Sequence, residues 1–286
     1  MINIENNIKY IFYSIIIILL FLIFINIIKK NMLFINRCVS KYDKPDLNEL
    51  SKKLSINFDA DIEIEDINIK TIDGETLNVF YMNNKNAKGT IIYSYGNAGL
   101  VYNSTYLFYL YGRNASIILF DYRGYGMSSG SPSEKGLYND IYSVWNYFTN
   151  ERKIKPNTIT LMGNSLGCAI SSWLAYKLCN SNNKPHALIF KSGFMSIHDV
   201  INDMNLSILN YIIKNEFNNA LYLKKIKNKI PILLLHSTDD ELIKINHAHG
   251  LMKVNKYIQF YKINGTHNDL DIRMNLIDKI ESFIFK

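Results

Sequence analysis

The chain opens on an apolar block and then changes character. From Tyr10 to Ile28, 19 residues pass without a charge, nearly all of them Ile, Leu or Phe. As a helix this run is about 28 Å long, close to the roughly 30 Å hydrocarbon core of a bilayer. After Pro45, short apolar runs alternate with longer helical ones. The short runs predict eight strands: Ile62 to Lys70, Leu77 to Met82, Thr90 to Tyr95, Ser116 to Phe120, Thr158 to Met162, Ala187 to Lys191, Ile230 to Leu235 and Ile258 to Lys262. Helix-length segments lie at Val101 to Tyr111, Glu134 to Asn150, Gly167 to Asn180, Ile243 to Val254 and Asp269 to Phe285. Such alternation predicts an α/β domain, a mainly parallel sheet with helices on both faces. Only Asp73-Gly74 separates the first two strands, a hairpin signal, so the sheet is expected to start antiparallel. Residues 195–229 are longer than one crossover helix requires and are expected to form a small cap. The predicted organisation is an anchor and basic juxtamembrane segment over residues 1–44, then one domain over 45–286.

Composition narrows the class. Hydrophobic residues make up 48% and charged residues 20%, which excludes disordered and collagen-like chains. A net charge of +7 invites a nucleic-acid reading, but its distribution argues against one. The first 44 residues hold six cations (Lys9, Lys29, Lys30, Arg37, Lys41, Lys44) against two carboxylates (Glu5, Asp43). More than half of the excess therefore sits beside the apolar run, where a membrane surface is the expected partner. A cleaved signal would need a shorter run and small residues before the cut, and Ile25-Asn26-Ile27-Ile28 offers none. The basic flank after the span favours a cytoplasmic catalytic domain, while sequons at Asn103, Asn114, Asn205 and Asn264 are the signal for a lumenal one. The three cysteines are too few and too scattered for a disulfide framework or a zinc site; Cys38, in the basic stretch, is either a palmitoylation position or an idle thiol.

Chemistry enters at the fifth predicted strand. Thr158 to Met162 runs straight into Gly163-Asn164-Ser165-Leu166-Gly167 and then into a helix, which is G-x-S-x-G in the strand–turn–helix context it requires. The serine backbone is strained in such a turn, and side chains two residues to either side would collide with it. Ser165 is thereby expected to project as a nucleophile, with the amide of Leu166 and the helix N-terminus facing a developing oxyanion. A serine nucleophile needs a base, and the base an orienting carboxylate, following it along the chain as acid and then histidine. The strand ending at Leu235 leads into His236-Ser237-Thr238-Asp239-Asp240, and the next into Gly265-Thr266-His267. Order and loop position make His267 the base; spacing alone leaves the acid open between Asp239 and Asp240. The other histidines (His186, His198, His236, His247, His249) read as structural or exposed, and His247-Ala248-His249 has too few partners for a metal. The loop after the third strand, Tyr95-Gly96-Asn97-Ala98-Gly99, is expected to bring the second oxyanion donor, the amide of Asn97 or Ala98.

With those residues assembled, the chain resembles the α/β-hydrolase superfamily, and within it the membrane-anchored eukaryotic branch of bud-emergence-type proteins and related protein depalmitoylases. The resemblance is carried by Gly96 to Gly99, Asp121-Tyr122-Arg123-Gly124-Tyr125-Gly126 with Ser128 to Gly136 after it, Gly163 to Gly167, His236 to Glu241 and Gly265 to Asp269, in family order over roughly residues 60–286. It implies that the fifth residue of the His236 stretch is the triad acid, which selects Asp240. The family has His at the position of Tyr95 and Gly at that of Ser237. It treats the Asp121 turn as the floor of the site, without a catalytic role. The expected function is a membrane-anchored serine hydrolase acting on acyl esters or thioesters, needing no cofactor, with lipids or lipidated proteins as substrates. Lysophospholipid or small-ester hydrolysis is the alternative activity, and a non-catalytic membrane scaffold the alternative of another class. Apolar residues between Gly193 and Ile230, among them Phe194, Met204, Leu206, Ile208, Tyr211, Ile212, Ile213 and Phe217, are expected either to cover the sheet or to line an acyl groove.

Overall fold

Among the described residues, one sheet of eight strands organises the molecule, in the order β1-β2-β4-β3-β5-β6-β7-β8. The computed structural model describes residues 11–20, 27, 33, 34, 44–211, 213, 216–268 and 274–285. The strands are β1 (Ile62–Lys70), β2 (Thr76–Asn84), β3 (Gly89–Ser94), β4 (Ala115–Phe120), β5 (Ile159–Asn164), β6 (Ala187–Lys191), β7 (Ile232–Ser237) and β8 (Ile258–Ile263). All eight occur where apolar patterning predicts them, within one to two residues at most ends. β1 and β2 form the expected antiparallel hairpin, β2 pairs antiparallel with β4, and every later pairing is parallel. β3, β4 and β7 are buried along their whole length, as strands covered on both faces must be.

Among the described residues, the helices from residue 44 onward are α1 (Leu47–Phe58), α2 (Tyr106–Tyr111), α3 (Glu134–Asn146), α4 (Leu166–Leu178), α5 (Ile197–Asp203), α6 (Asn219–Ile226), α7 (Ile245–Val254) and α8 (Met274–Ile284). α1 is absent from the sequence expectation although its signals are legible. Asp46 caps it by accepting from the amides of Asn48 and Glu49, and Leu47, Leu50, Leu54 and Phe58 repeat at helical spacing. The single helix expected over Val101 to Tyr111 divides into a 3₁₀ turn, Tyr102–Ser104, and α2. At the division the hydroxyls of Ser104 and Thr105 donate to the carbonyls of Leu100 and Tyr102, competing with regular helix bonding. α3 starts on the Ser133 cap and ends in a π-helical turn, Tyr147–Glu151. The first residues of the predicted last helix, Asp269 among them, lie outside the described residues.

The expected cap is two things. α6 packs on α4 and α7 with Leu223 and Ile226 fully buried, so it is the crossover helix itself. The insertion proper is the stretch before it, with α5 and a 3₁₀ turn at Ser207–Tyr211. Its apolar side chains divide as well: Phe194, Ile213 and Phe217 are buried, whereas Met204, Leu206, Ile208 and Tyr211 are exposed. Ile212 lies outside the described residues.

Residues 11–20 of the apolar N-terminal run are helical and exposed. Much of the rest of that run, and Cys38, lies outside the described residues. Among the described residues no helix is long and apolar enough to cross a membrane. Leu33 and Phe34, from the segment after the run, are buried against the domain, with the Phe34 ring edge-on to Phe217 at 6.1 Å. Cys168 and Cys179 are buried free thiols.

Candidate active site

The turn after β5 is built as its glycines require. Ser165 adopts φ 50° and ψ −115°, a left-handed conformation rare for a residue with a side chain. Its amide donates to the carbonyl of Lys191 on the neighbouring β6 at 2.9 Å, and its carbonyl accepts from Cys168 at 3.0 Å, so both flanking elements hold the strained residue in place. A Cβ at Gly163 would lie 2.5 Å from the Gly167 carbonyl oxygen, and one at Gly167 would lie 1.9 Å from that of Ser94. Neither glycine can be replaced without moving backbone. Leu166 begins α4, whose N-terminal dipole end faces the serine.

Residues far apart in sequence converge on that serine at the carboxyl edge of the sheet. His267 Nε2 lies 3.2 Å from Ser165 Oγ, and His267 Nδ1 lies 2.9 and 3.0 Å from the two carboxylate oxygens of Asp240. With Asp240 ionised, Nδ1 carries the proton and Nε2 turns its lone pair to the hydroxyl. Asp240 Oδ1 also accepts the amides of Ile243, at 2.8 Å, and Leu242, at 3.2 Å. Burial by itself would raise the Asp240 pKa, but donation by His267 and the Ile243 amide outweighs it, and the net shift is downward. Ionised Asp240 therefore stabilises the fold above the ordinary carboxylate pKa, and that contribution is lost as pH falls through the lower folded value. Asp239 is exposed; its amide caps back onto Ser237 Oγ and, among the described residues, its carboxylate bonds only the neighbouring Thr238 hydroxyl. Of the two neighbouring carboxylates, the fold thus brings Asp240 and not Asp239 against the His267 ring. Glu241, outside the expected set, accepts the backbone amide of His267 at 3.1 Å and fixes the loop that carries the ring.

The loop after β3 passes directly over the serine: a Cβ at Gly96 would lie 3.4 Å from that of Ser165. Gly99 donates to the Gly96 carbonyl at 2.9 Å, closing a turn with Asn97 and Ala98 as its two central residues. The Asn97 side chain is committed elsewhere, donating to the Leu33 carbonyl at 2.9 Å and accepting the Tyr125 hydroxyl at 2.8 Å. Any oxyanion donor from Asn97 is therefore its backbone amide. Tyr95, where the resembling family has His, is buried beneath this turn with its ring 4.3 Å from that of Tyr122. Its hydroxyl donates to Asp121 Oδ1 at 3.2 Å and accepts the Tyr122 amide at 3.0 Å.

Asp121 is the anchor of the loop, a structural role in the turn that the resemblance places at the floor of the site. Fully buried at the end of β4, it also accepts the amides of Val101 and Met127 at 2.9 and 3.2 Å, tying both ends of the oxyanion-side loop to the turn after β4. The sequence signal of that role is a carboxylate directly following an unbroken apolar strand, a placement that demands buried donors. In the same turn Arg123 bonds Asp140 through Nε at 2.8 Å and Asp73 through both terminal nitrogens, joining the turn to α3 and the β1–β2 hairpin. Arg123 and Asp140 are thus structural.

Of the remaining histidines, His236 lies nearest the site, its Nε2 3.8 Å from Asp240 Oδ2. His236 is wholly buried, and its Nε2 lies 2.7 Å from the Ile243 carbonyl, so that nitrogen carries the proton; burial lowers its pKa, which keeps the ring neutral. His247 Nδ1 accepts the Met195 amide at 3.2 Å, while His249, two residues on, is exposed. The two point away from each other along α7.

A family profile described as the alpha/beta hydrolase fold matches residues 89–211. An uncharacterized protein of Acanthamoeba polyphaga mimivirus is 30% identical over 226 residues, covering 72% of this chain and 76% of the relative. The human alpha/beta hydrolase domain-containing protein 17B is 29% identical over 203 residues, covering 70% of this chain and 67% of its own length. Among solved structures, an alpha-beta hydrolase from Vibrio vulnificus superposes with a TM-score of 0.67 at 20% identity, over 85% of this chain and 95% of that one. An esterase from Pyrococcus furiosus does so with a TM-score of 0.64 at 16% identity, over 85% and 94%. At those identities the structural matches establish the fold.

Proposed function

Since the chain belongs to the α/β-hydrolase-fold family, we propose that it is a membrane-anchored serine hydrolase cleaving carboxylic esters or thioesters of acyl substrates. The observation that carries this reading is the 3.2 Å approach of His267 Nε2 to Ser165 Oγ with Asp240 bonded to the far side of the ring. Ser165 Oγ attacks the acyl carbonyl carbon as its proton passes to His267 Nε2, giving a tetrahedral oxyanion. The amide of Leu166 and that of Asn97 or Ala98 receive the negative charge. Collapse breaks the C–O or C–S bond, and the leaving alkoxide or thiolate takes the proton from His267. Water, deprotonated by the same nitrogen, then releases the acyl group from Ser165 as the carboxylic acid and restores the serine. No cofactor takes part. A fluorophosphonate probe should label the wild-type chain at Ser165 and leave Ser165→Ala unlabelled. Absence of labelling in the folded wild type would instead favour a scaffold that keeps the fold for binding.

The anchor reading covers residues 1–44, with the span at Tyr10 to Ile28 and the domain on the cytoplasmic side. It is supported by the length of the uncharged run, by its basic flank and by the exposed apolar helix at residues 11–20. The full chain should stay in the pellet through carbonate washing. Its domain should be separable, but not at residue 45. A chain beginning at Lys41 loses Leu33 and Phe34, which the structure buries, and should be less stable than one beginning at Asn31 by about 2–5 kcal/mol. Thermal unfolding of the two, with equal midpoints as the contrary result, checks this.

Long-chain acyl substrates separate this reading from a small-ester hydrolase. Each additional CH₂ buried beside Ser165 contributes up to about 0.8 kcal/mol, or roughly fourfold in kcat/KM. A series of p-nitrophenyl esters and acyl thioesters of rising length, kept below their aggregation limits, should show specificity climbing from acetate to a plateau. A flat or falling series would favour small esters.

A further inference from the structure

Residues 204–213 read Met-Asn-Leu-Ser-Ile-Leu-Asn-Tyr-Ile-Ile, ten positions without a charge. In the fold Ile208 and Tyr211 border an open surface pocket with His198, Asn202, Ser207 and Asn210, a set that does not include Ser165. Met204, Leu206, Ile208 and Tyr211 are 48%, 46%, 70% and 87% exposed, on the outer side of the insertion before α6. This outward display is a fixed shape: the Leu206, Leu209 and Ile213 amides donate to the carbonyls of Ile201, Leu206 and Leu209 at 2.8–3.1 Å. Four large apolar side chains held outward on a hydrogen-bonded backbone form a surface that water does not favour.

The attachment of Leu33 and Phe34 to the domain bears on what could cover them. Ile28, the last residue of the uncharged run, is five Cα steps from Leu33, a reach of at most about 18 Å. The Leu33 carbonyl accepts from Asn97 in the loop over Ser165, and Phe34 lies edge-on to Phe217 at the base of the cap insertion. Glu216, beside Phe217, accepts the amide of Ile197 at the start of α5, so the tether meets the same folded unit that displays the apolar ridge. A bilayer holding the anchor is therefore within about 18 Å of the junction between cleft and cap, while the amino ends of the parallel strands, marked by Tyr257 before β8, point away. Lys244, whose ammonium reaches the Asp203 carbonyl, adds a cation at the ridge's edge. An uncharged apolar ridge with a tyrosine at its tip and a bordering cation has the composition of an interfacial surface.

We infer that the outer face of the cap, through Met204, Leu206, Ile208 and Tyr211, rests in the headgroup region of a phospholipid bilayer and holds the Ser165 cleft toward it. The inference rests on the anchor reading of Tyr10 to Ile28. It deepens the proposed activity, because a cleft in that position meets acyl groups of lipids or lipidated proteins at the membrane plane.

The test uses the full chain reconstituted in phosphatidylcholine–phosphatidylserine vesicles with and without brominated lipid. Tyr211→Trp, and separately Ile208→Trp, should each add a blue-shifted emission that brominated lipid quenches at least twofold relative to the two native tryptophans. Tyr257→Trp should add emission that is not quenched. Ile208→Glu combined with Tyr211→Glu should lower hydrolysis of a vesicle-embedded long-chain ester by about tenfold or more and leave a water-soluble short ester unchanged. Release of the wild-type chain by carbonate would sink the anchor reading and this inference together. Retention without quenching at 208 or 211, or equal quenching at 257, would overturn the inference alone. Unquenched probes together with a concentration-dependent dimer would assign the ridge to a second copy of the chain.

Discussion

Ser165→Ala and His267→Ala should each lower turnover by roughly 10⁴- to 10⁶-fold, and the double variant should be little worse than either single one. The reason is that Ser165 Oγ and His267 Nε2, 3.2 Å apart, form one proton-transfer unit: a serine without its base is a weak nucleophile, and a base without its serine has nothing to activate. Activity left in each variant reports what the oxyanion donors and substrate binding contribute alone. Steady-state kinetics on a soluble ester measure this directly. Losses that multiply in the double variant would mean that the two residues act in separate steps, and the proposed mechanism would fail. Folding is not the obstacle, since Ala keeps both backbones and the Ser165 turn is held by main-chain bonds to Lys191 and Cys168.

Asp240→Asn should cost about 10⁴-fold in turnover with the fold intact, and Asp239→Asn less than about twofold. The first figure is the loss known for the equivalent change in a serine protease. An amide at position 240 can still accept from Ile243 and Leu242 through its oxygen, as Oδ1 does now. Its NH₂ group would then face His267 Nδ1, driving the ring proton to Nε2 and leaving no lone pair for Ser165. Asp239 is exposed and, among the described residues, bonds only within its own turn, so its change is expected to reach neither ring nor serine. Circular dichroism alongside kinetics keeps a folding defect apart from a tautomer effect. The opposite ranking of the two variants would transfer the orienting role to Asp239.

Local pattern was enough to specify much of this protein. Eight runs of strand length became eight strands: β3, β4 and β7, buried on both faces, are apolar nearly throughout, while β1 alternates polar and apolar residues as a strand with one exposed face does. The Gly163 to Gly167 turn was legible for a similar reason: its two glycines answer to contacts within a few residues and to the adjoining strand β3, so spacing alone records the constraint. The placement of the loops that carry His267 and Asp240 was legible by order, since each follows a strand that ends on the same edge.

What the sequence left open depends on partners distant along the chain. Asp239 and Asp240 are neighbours of identical chemistry, and only the position of His267, 27 residues beyond Asp240, separates them. Tyr95 stands where the resembling family has His, and its place in the fold comes from a hydroxyl that bonds Asp121, 26 residues away. The anchoring of the oxyanion-side loop by Asp121, the Asn97–Leu33 contact across 64 residues and the division of the cap's apolar residues into buried and exposed sets follow the same rule. Hydrophobic periodicity tells which side chains avoid water, not which surface receives them. That choice is made when the sheet brings its carboxyl edge together, and it is there that the tertiary structure determined the site.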